Sequence, residues 1–114
     1  MDKMRGELGD STVRFFLSQI CEVMGFLHKQ MIAHRDIKPD NFLLDSQLNI
    51  KLCDFGLVNN VDSKNITLYR GGTFGYMAPE VEKKYYSEVY EYTPYNGLAA
   101  DVFAIGVTCY KILF

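Results

Sequence analysis

"HRDIKPDNFLL", residues 34–44, sets an imidazole, a guanidinium, two carboxylates, an ammonium and an amide within eight positions, then turns apolar. A charged cluster of this density between apolar segments reads as a loop carrying function, because charges are costly to bury unpaired and scaffold-held loops display reactive groups. Its flanks support that reading. Upstream, from Ser11 to Gln30, Val13, Phe16, Leu17, Ile20, Val23, Met24 and Leu27 recur at three- and four-residue steps, which predicts an amphipathic helix capped by Asp10 or Ser11. Downstream, "NFLLD" and "NIKLCDF" are short segments with β-type residues joined by the turn-like "SQL", and they predict a small β-hairpin. The loop therefore joins a helix to a hairpin.

Four polar groups around this loop can be weighed together: Asp36, Lys38, Asn41 and Asp54. Asp54 stands at the far end of the hairpin, so folding the hairpin back brings it beside Asn41. Two carboxylates and an amide oxygen suit a hard cation such as magnesium, which completes its shell with water and substrate phosphates. Lys38 would offer positive charge to a phosphate held there. Each residue singly is also consistent with a turn former or a cap; together they point to phosphoryl transfer.

A chain of 114 residues accommodates one small domain, and 48% hydrophobic, 23% charged and 14% aromatic content is that of a globular protein. A formal net charge of -2 supplies no general field for drawing in nucleic acid or anionic membrane. Cys21, Cys53 and Cys109 are odd in number, widely spaced and set among apolar neighbours, so they read as buried free thiols in a reducing compartment. "MDKMRGELGD" has no signal-peptide apolar region, and the apolar runs fall short of the roughly 20 residues of a membrane span. These features predict a soluble intracellular protein, cytoplasmic or nuclear, with no nucleic-acid partner and no membrane insertion. Between Gly56 and Ala78 the sequence shows neither helical nor strand period, a tyrosine-rich stretch follows, and "AADVFAIGVTCYKILF", residues 99–114, predicts a helix buried on most faces.

Order and spacing extend the reading. "HRDIKPDN" follows a helix, "DFG" at 54–56 comes thirteen residues after Asn41, and "GTFGYMAPE" at 72–80 closes the irregular loop before a helix that opens with Asp101. This arrangement resembles the large lobe of a eukaryotic protein kinase of the serine/threonine type, whose signatures are HRDxxxxN, DFG and APE in that order. The resemblance covers nearly the whole chain. It implies an α+β fold, mainly helical, with a small β-hairpin, and an incomplete kinase domain over 1–114. Within it fall a catalytic loop at 34–41, an activation segment at 54–80 and a buried helix from about 99.

The resemblance also implies roles, residue by residue. Asp36 is the catalytic base, Lys38 steadies the transferring phosphoryl group, and Asn41 and Asp54 hold the Mg2+ ions that bridge the phosphates of ATP. Leu43 would form the floor under the adenine, while Phe42, Leu43 and Leu44 read from the sequence as core residues. Thr73 would bond both Asp36 and Lys38. Arg35 would receive an activating phosphate. The usual position for that phosphate is Tyr69 here, a departure that leaves Ser63, Thr67 and Tyr69 as candidate sites. His34 and Phe55 would stack in a column linking the lobes, Asp101 would tie its helix to the catalytic-loop backbone, and Glu80 would seek an arginine that these residues do not contain. Lys38 in "DIKPDN" is similar to the serine/threonine pattern, so the implied partner is a protein substrate with an acceptor hydroxyl. No GxGxxG and no VAIK-like segment occurs in the 114 residues. The expectation is thus a kinase whose full-length form is active while the isolated chain is not; the alternative is a non-catalytic truncated kinase that competes for partners.

Overall fold

A computed structural model describes residues 9–62, 64, 66, 67, 71–85 and 94–114, with the backbone alone described at 66, 67 and 83–85. Helix α1 spans Asp10–Lys29 and buries Val13, Phe16, Ile20 and Met24, a stripe at three- and four-residue spacing. Its cap departs from expectation. Gly9 is the N-cap and makes no side-chain bond, while Asp10 lies in the first turn, where its negative charge faces the positive end of the helix dipole. Met31 follows the helix in the left-handed region, φ 60°, and turns the chain into strand β1, Ile32–Ala33.

After a single 3-10 turn at Pro39–Asn41 come β2, Phe42–Leu44, and β3, Ile50–Leu52, which form the predicted antiparallel hairpin with Phe42 opposite Leu52. Asp45 builds the turn: its Oδ1 accepts the backbone N–H of Gln47 and of Asn49, each at 2.9 Å, and Leu48 takes up a φ of 64°. Gln19 of α1 then holds the hairpin in place. Its Oε1 accepts the N–H of Ile50 at 2.8 Å, and its amide donates to the carbonyl of Leu48 at 3.3 Å.

The stretch expected to lack regular structure contains two short strands. Strand β4, Asn59–Asn60, pairs antiparallel with β1, and β5, Ile66–Thr67, pairs antiparallel with β6, Tyr95–Asn96. A two-residue strand has no period to display, so its partner alone defines it. Helix α2, Pro79–Tyr85, begins at a proline, which suits a first helical position where no N–H partner is needed.

Helix α3, Gly97–Leu113, starts two residues before the expected position, with the Asn96 side chain capping it through the N–H of Ala99 at 2.9 Å. It is not buried on most faces. One stripe, Gly97, Asp101, Ala104, Thr108 and Ile112, is covered, whereas Val102, Phe103, Tyr110, Leu113 and Phe114 are exposed.

Phe16, Ile20, Met24, Ile37, Phe42, Ile50, Ala104 and Ile112 make the main core, joining α1, the polar loop, the hairpin and α3. Burying each of its large aliphatic or aromatic side chains stabilises the fold by about 1.5–3 kcal/mol. A second cluster, Met77, Ala78, Val81 and Tyr95, packs the end of the irregular stretch against the approach to α3. The expected burial of all three thiols does not hold: Cys21 is exposed, and Cys53 and Cys109 are partly buried. Cys21 sits one residue past Ile20, about 100° around the helix from the buried stripe. Among the described residues no helix is long and apolar enough to cross a membrane.

Candidate active site

The polar loop is anchored from below by one buried carboxylate. Asp101, 1% exposed in the first turns of α3, accepts the N–H of His34 at Oδ2 and the N–H of Arg35 at Oδ1, both at 2.8 Å. Oδ2 also accepts from Nε2 of His28 at 2.9 Å. Three donors on one carboxylate offset the cost of removing its charge from water. They also fix the backbone just before Asp36, where Arg35 is held at φ 75°, a left-handed conformation that costs a non-glycine residue about 1–3 kcal/mol. His28 was not singled out from the sequence. Among the polar residues of an amphipathic helix it carries no local signal of its own.

His34 is fully buried, and its ring is fixed at both nitrogens. Nδ1 accepts the N–H of Asp36 at 3.2 Å, so Nε2 carries the proton and donates to the Cys53 carbonyl at 3.1 Å. The ring meets Phe55 edge to face, with centroids 5.3 Å apart. One imidazole thus ties the polar loop to the residues on either side of Asp54.

Above this base, Thr73 joins the loop to the irregular stretch. Its hydroxyl donates to Oδ1 of Asp36 at 2.6 Å and accepts from Nζ of Lys38 at 2.9 Å, while Nζ stands 3.9 Å from Oδ2 of Asp36. The carboxylate, hydroxyl and ammonium form a closed triangle, partly buried, with 12% of the Asp36 side chain and 21% of Lys38 exposed. Gly72 lets the strand of chain come this close. At φ 133° it adopts a conformation L side chains rarely take, and a Cβ there would stand 3.0 Å from Cγ of Met77 and 3.3 Å from the Arg35 carbonyl. Asp36 and Thr73 line a small crevice of about 20 Å³ whose other walls include Tyr76, Met77, Tyr95 and Ala104.

Asn41 is buried, and its Nδ2 donates to the Asp36 carbonyl at 2.6 Å, with Oδ2 of Asp36 at 3.4 Å. That bond orients the amide and reserves Oδ1 for another ligand. The Asn41 carbonyl accepts the N–H of Cys53 at 2.9 Å, which draws the end of the hairpin to the loop as expected. Asp54 follows with an exposed side chain and a φ of 59°, and its Oδ1 accepts a long bond from the N–H of Gly56 at 3.4 Å. Among the described residues no three His, Cys, Asp or Glu side chains form a cluster able to hold a metal by themselves. A cation here would have two protein ligands, an amide oxygen and a carboxylate, and would draw its remaining ligands from phosphate and water, a donor set that fits magnesium.

The remaining expected positions divide. Leu43 is 54% exposed and so is not core, a departure from the sequence reading, whereas Phe42 is 1% exposed and Leu44 packs against the core. On a strand whose side chains alternate, Leu43 belongs to the face opposite Phe42. Arg35 donates from Nε to the Tyr95 hydroxyl at 3.1 Å and from Nη1 to the Leu57 carbonyl at 3.0 Å. Tyr95, 5% exposed, was another residue the sequence did not single out. Glu80 is exposed, so it carries no buried unpaired charge. Thr67 lies in β5 opposite Tyr95, while Ser63 and Tyr69 lie outside the described residues.

Comparison with known proteins gives this geometry a setting. The model of the family described as protein kinase domain matches residues 1–114. The cAMP-dependent protein kinase catalytic subunit of Dictyostelium discoideum is 36% identical over 107 residues, covering 94% of this chain and 15% of that protein. The carbon catabolite-derepressing protein kinase of Candida tropicalis is 38% identical over 109 residues, covering 96% of the chain and 16% of its own length. The CBL-interacting serine/threonine-protein kinase 8 of Arabidopsis thaliana is 36% identical over 110 residues, with 95% and 23% covered. The chain therefore spans between about a seventh and a quarter of these relatives.

Proposed function

This chain belongs to the protein kinase domain family, and on that premise we propose that it is part of the large lobe of a serine/threonine kinase whose full-length form transfers the γ-phosphate of ATP to protein hydroxyls. The observation that carries the reading is the triangle of Asp36, Thr73 and Lys38. Asp36 orients the acceptor hydroxyl and takes its proton. A base must lie within hydrogen-bonding reach of that hydroxyl, and the Asp36 carboxylate, 12% exposed, keeps part of its surface open to one. Lys38, held by Thr73 rather than by a bidentate pair with Asp36, keeps its positive charge available to the transferring group. The catalytic loop comprises residues 34–41 and the activation segment residues 54–80.

Asn41 and Asp54 would hold Mg2+, which would offset the negative charge of the nucleotide phosphates. Leu43 presents an apolar surface that suits the adenine of ATP. Arg35 is the residue that would pair, through charge-assisted hydrogen bonds, with a phosphate carried on Thr67, Ser63 or Tyr69. We place the enzyme inside the cell, in keeping with three free thiols. The names of the three relatives support protein phosphorylation, and one of them supports serine or threonine as acceptor. The 114 residues hold neither a glycine-rich phosphate loop nor a strand lysine, so we read the isolated polypeptide as inactive. The alternative reading is a non-catalytic module that competes for the partners of an intact kinase.

The test uses the full-length protein that carries this chain. Asp36→Asn keeps the size and the hydrogen bond to Thr73 but removes the base, so transfer to a protein substrate should fall by about 10²–10⁴-fold while binding of magnesium ATP stays within about twofold. Unchanged turnover would refute the base assignment. A wild-type protein that binds substrate without transferring phosphate would favour the competing module.

A further inference from the structure

Lys111 stands in the last turn of α3, where its positive charge meets the negative end of the helix dipole. Its half-buried side chain places Nζ over the ring of Tyr76, 4.3 Å from the centroid. Tyr76 in turn packs against the main core and donates its backbone N–H to the Thr73 carbonyl at 3.1 Å. The Thr73 hydroxyl is the one that bonds Asp36 and Lys38, and Tyr76, Thr73 and Asp36 line one small crevice. Between Thr73 and Tyr76 the chain turns through Phe74 and Gly75, both exposed. A fixed ammonium thus sits one ring away from the residues that surround the base.

We propose that Lys111 is a specificity-determining residue that selects protein substrates carrying an aspartate or glutamate near the acceptor hydroxyl. The inference rests on the kinase reading above and names the substrate class of that same site. A ring face attracts a cation through its quadrupole but offers it no strong hydrogen-bond acceptor. The three N–H donors of the ammonium therefore keep capacity for a carboxylate. Among the described residues no Asp or Glu side chain forms an ion pair with Lys111. Contact with the ring also holds the ammonium in place, so part of the side-chain freedom that a mobile lysine loses on pairing is already lost here. An extended peptide advances about 3.3 Å per residue. A carboxylate a few residues from the acceptor thus has the reach to meet Nζ while the hydroxyl lies at Asp36. A basic residue at the same place would meet Lys111 as a like charge and be disfavoured.

The experiment uses the full-length protein and a series of serine peptides in which glutamate, alanine or arginine is placed, one position at a time, within about four residues of the serine. At low ionic strength and at one or more of these positions, kcat/KM should be about fivefold higher with glutamate than with alanine, and lower with arginine than with alanine. The preference for glutamate should shrink as salt is raised to about 0.5 M. Lys111→Ala should bring the glutamate-to-alanine ratio to within about twofold of unity, and Lys111→Glu should shift the preference to arginine. Lys111→Arg, which keeps a cation able to lie on the Tyr76 ring, should hold the wild-type ratio to within about twofold. A merely structural role for Lys111 would lower turnover of every peptide in proportion and leave the ratios where they were. Independently of turnover, peptides with alanine in place of the acceptor serine should bind in the same order of preference, read by fluorescence anisotropy. Equal kcat/KM for the glutamate and alanine peptides at every position, a glutamate preference that survives Lys111→Glu, or equal affinities in the anisotropy series would each overturn the proposal. A wild type that transfers phosphate neither to these peptides nor to a mixture of proteins would overturn the kinase reading instead, and the anisotropy series would still decide the Lys111 contact.

Discussion

Among single residues, Asp101 carries the most structural consequence, because its carboxylate receives two backbone N–H groups and an imidazole while 1% exposed. Asp101→Ala would leave those donors buried and unmet, at about 1–3 kcal/mol for each unsatisfied group. The expected result is a loss of about 3 kcal/mol or more in denaturant unfolding, with the slope unchanged. Asp101→Asn should cost less, since its one carbonyl oxygen still accepts. Thr73 obeys a finer rule. Thr73→Ser keeps the hydroxyl between Asp36 and Lys38 and should stay within a few-fold of the parent turnover, whereas Thr73→Val, of the same shape, should lose about 10-fold or more. The thiols differ too. Burial pushes the Cys109 thiol up, with the neighbouring Cys21 adding to the effect, and it is partly covered, while Cys21 is exposed. Because the thiolate is the nucleophile, iodoacetamide at mildly alkaline pH should modify Cys21 well before Cys109, as read by peptide mass mapping. Equal rates would contradict the environment described for α3.

At the level of elements, the hairpin turn carries a pH dependence whose sign follows from Asp45. The N–H of Asn49 first, and then that of Gln47, hold its carboxyl below the usual 3.8. A depressed folded-state pKa means the charged form stabilises the turn fully above the unfolded value, and that contribution disappears as pH falls through the folded one. Asp45→Asn keeps an acceptor oxygen but cannot titrate. The gap in melting temperature between wild type and Asp45→Asn should therefore shrink as pH falls from about 5 to about 2; a constant gap would exclude the carboxylate as its source. Elements also decide what a sequence can disclose. Helix α1 was legible because its apolar residues keep a period over 20 positions, and the β2–β3 hairpin because two segments of β-type residues flank a turn-like stretch. Strands β1, β4, β5 and β6 have two residues each, too few for any period, and form where a partner distant in sequence meets them. Gln19 pins the hairpin across 31 residues, and Tyr95 reaches Arg35 across 60. Neither carries a local signal. The Asp101 contact, 66 and 67 residues from its donors, was legible through family resemblance alone.

Across the whole molecule, α3 departs most from its sequence reading, and the reason bears on how the polypeptide behaves. A nearly continuous apolar run suits a helix covered on every side, but the described residues cover one stripe of it. Val102, Phe103, Tyr110, Leu113 and Phe114 are 41–72% exposed, and the Tyr110 and Phe114 rings lie against each other with centroids 5.1 Å apart. The polar members of the buried stripe, Asp101 and Thr108, face the loop and core, so the helix spends its buried polar groups inward and its large apolar groups outward. Apolar patches beyond a few hundred Å² are uncommon on soluble monomers, since each exposed Å² forgoes about 25 cal/mol. The 114-residue polypeptide taken alone should therefore self-associate. In analytical ultracentrifugation its average mass should rise with concentration, and Phe103→Asp combined with Phe114→Asp should return it toward the monomer. Both residues lie outside the buried stripe, so the helix and its Asp101 anchor should survive, as shown by an unchanged far-UV spectrum. A polypeptide that stays monomeric at high concentration, with those two phenylalanines intact, would mean that this face finds its cover within the chain.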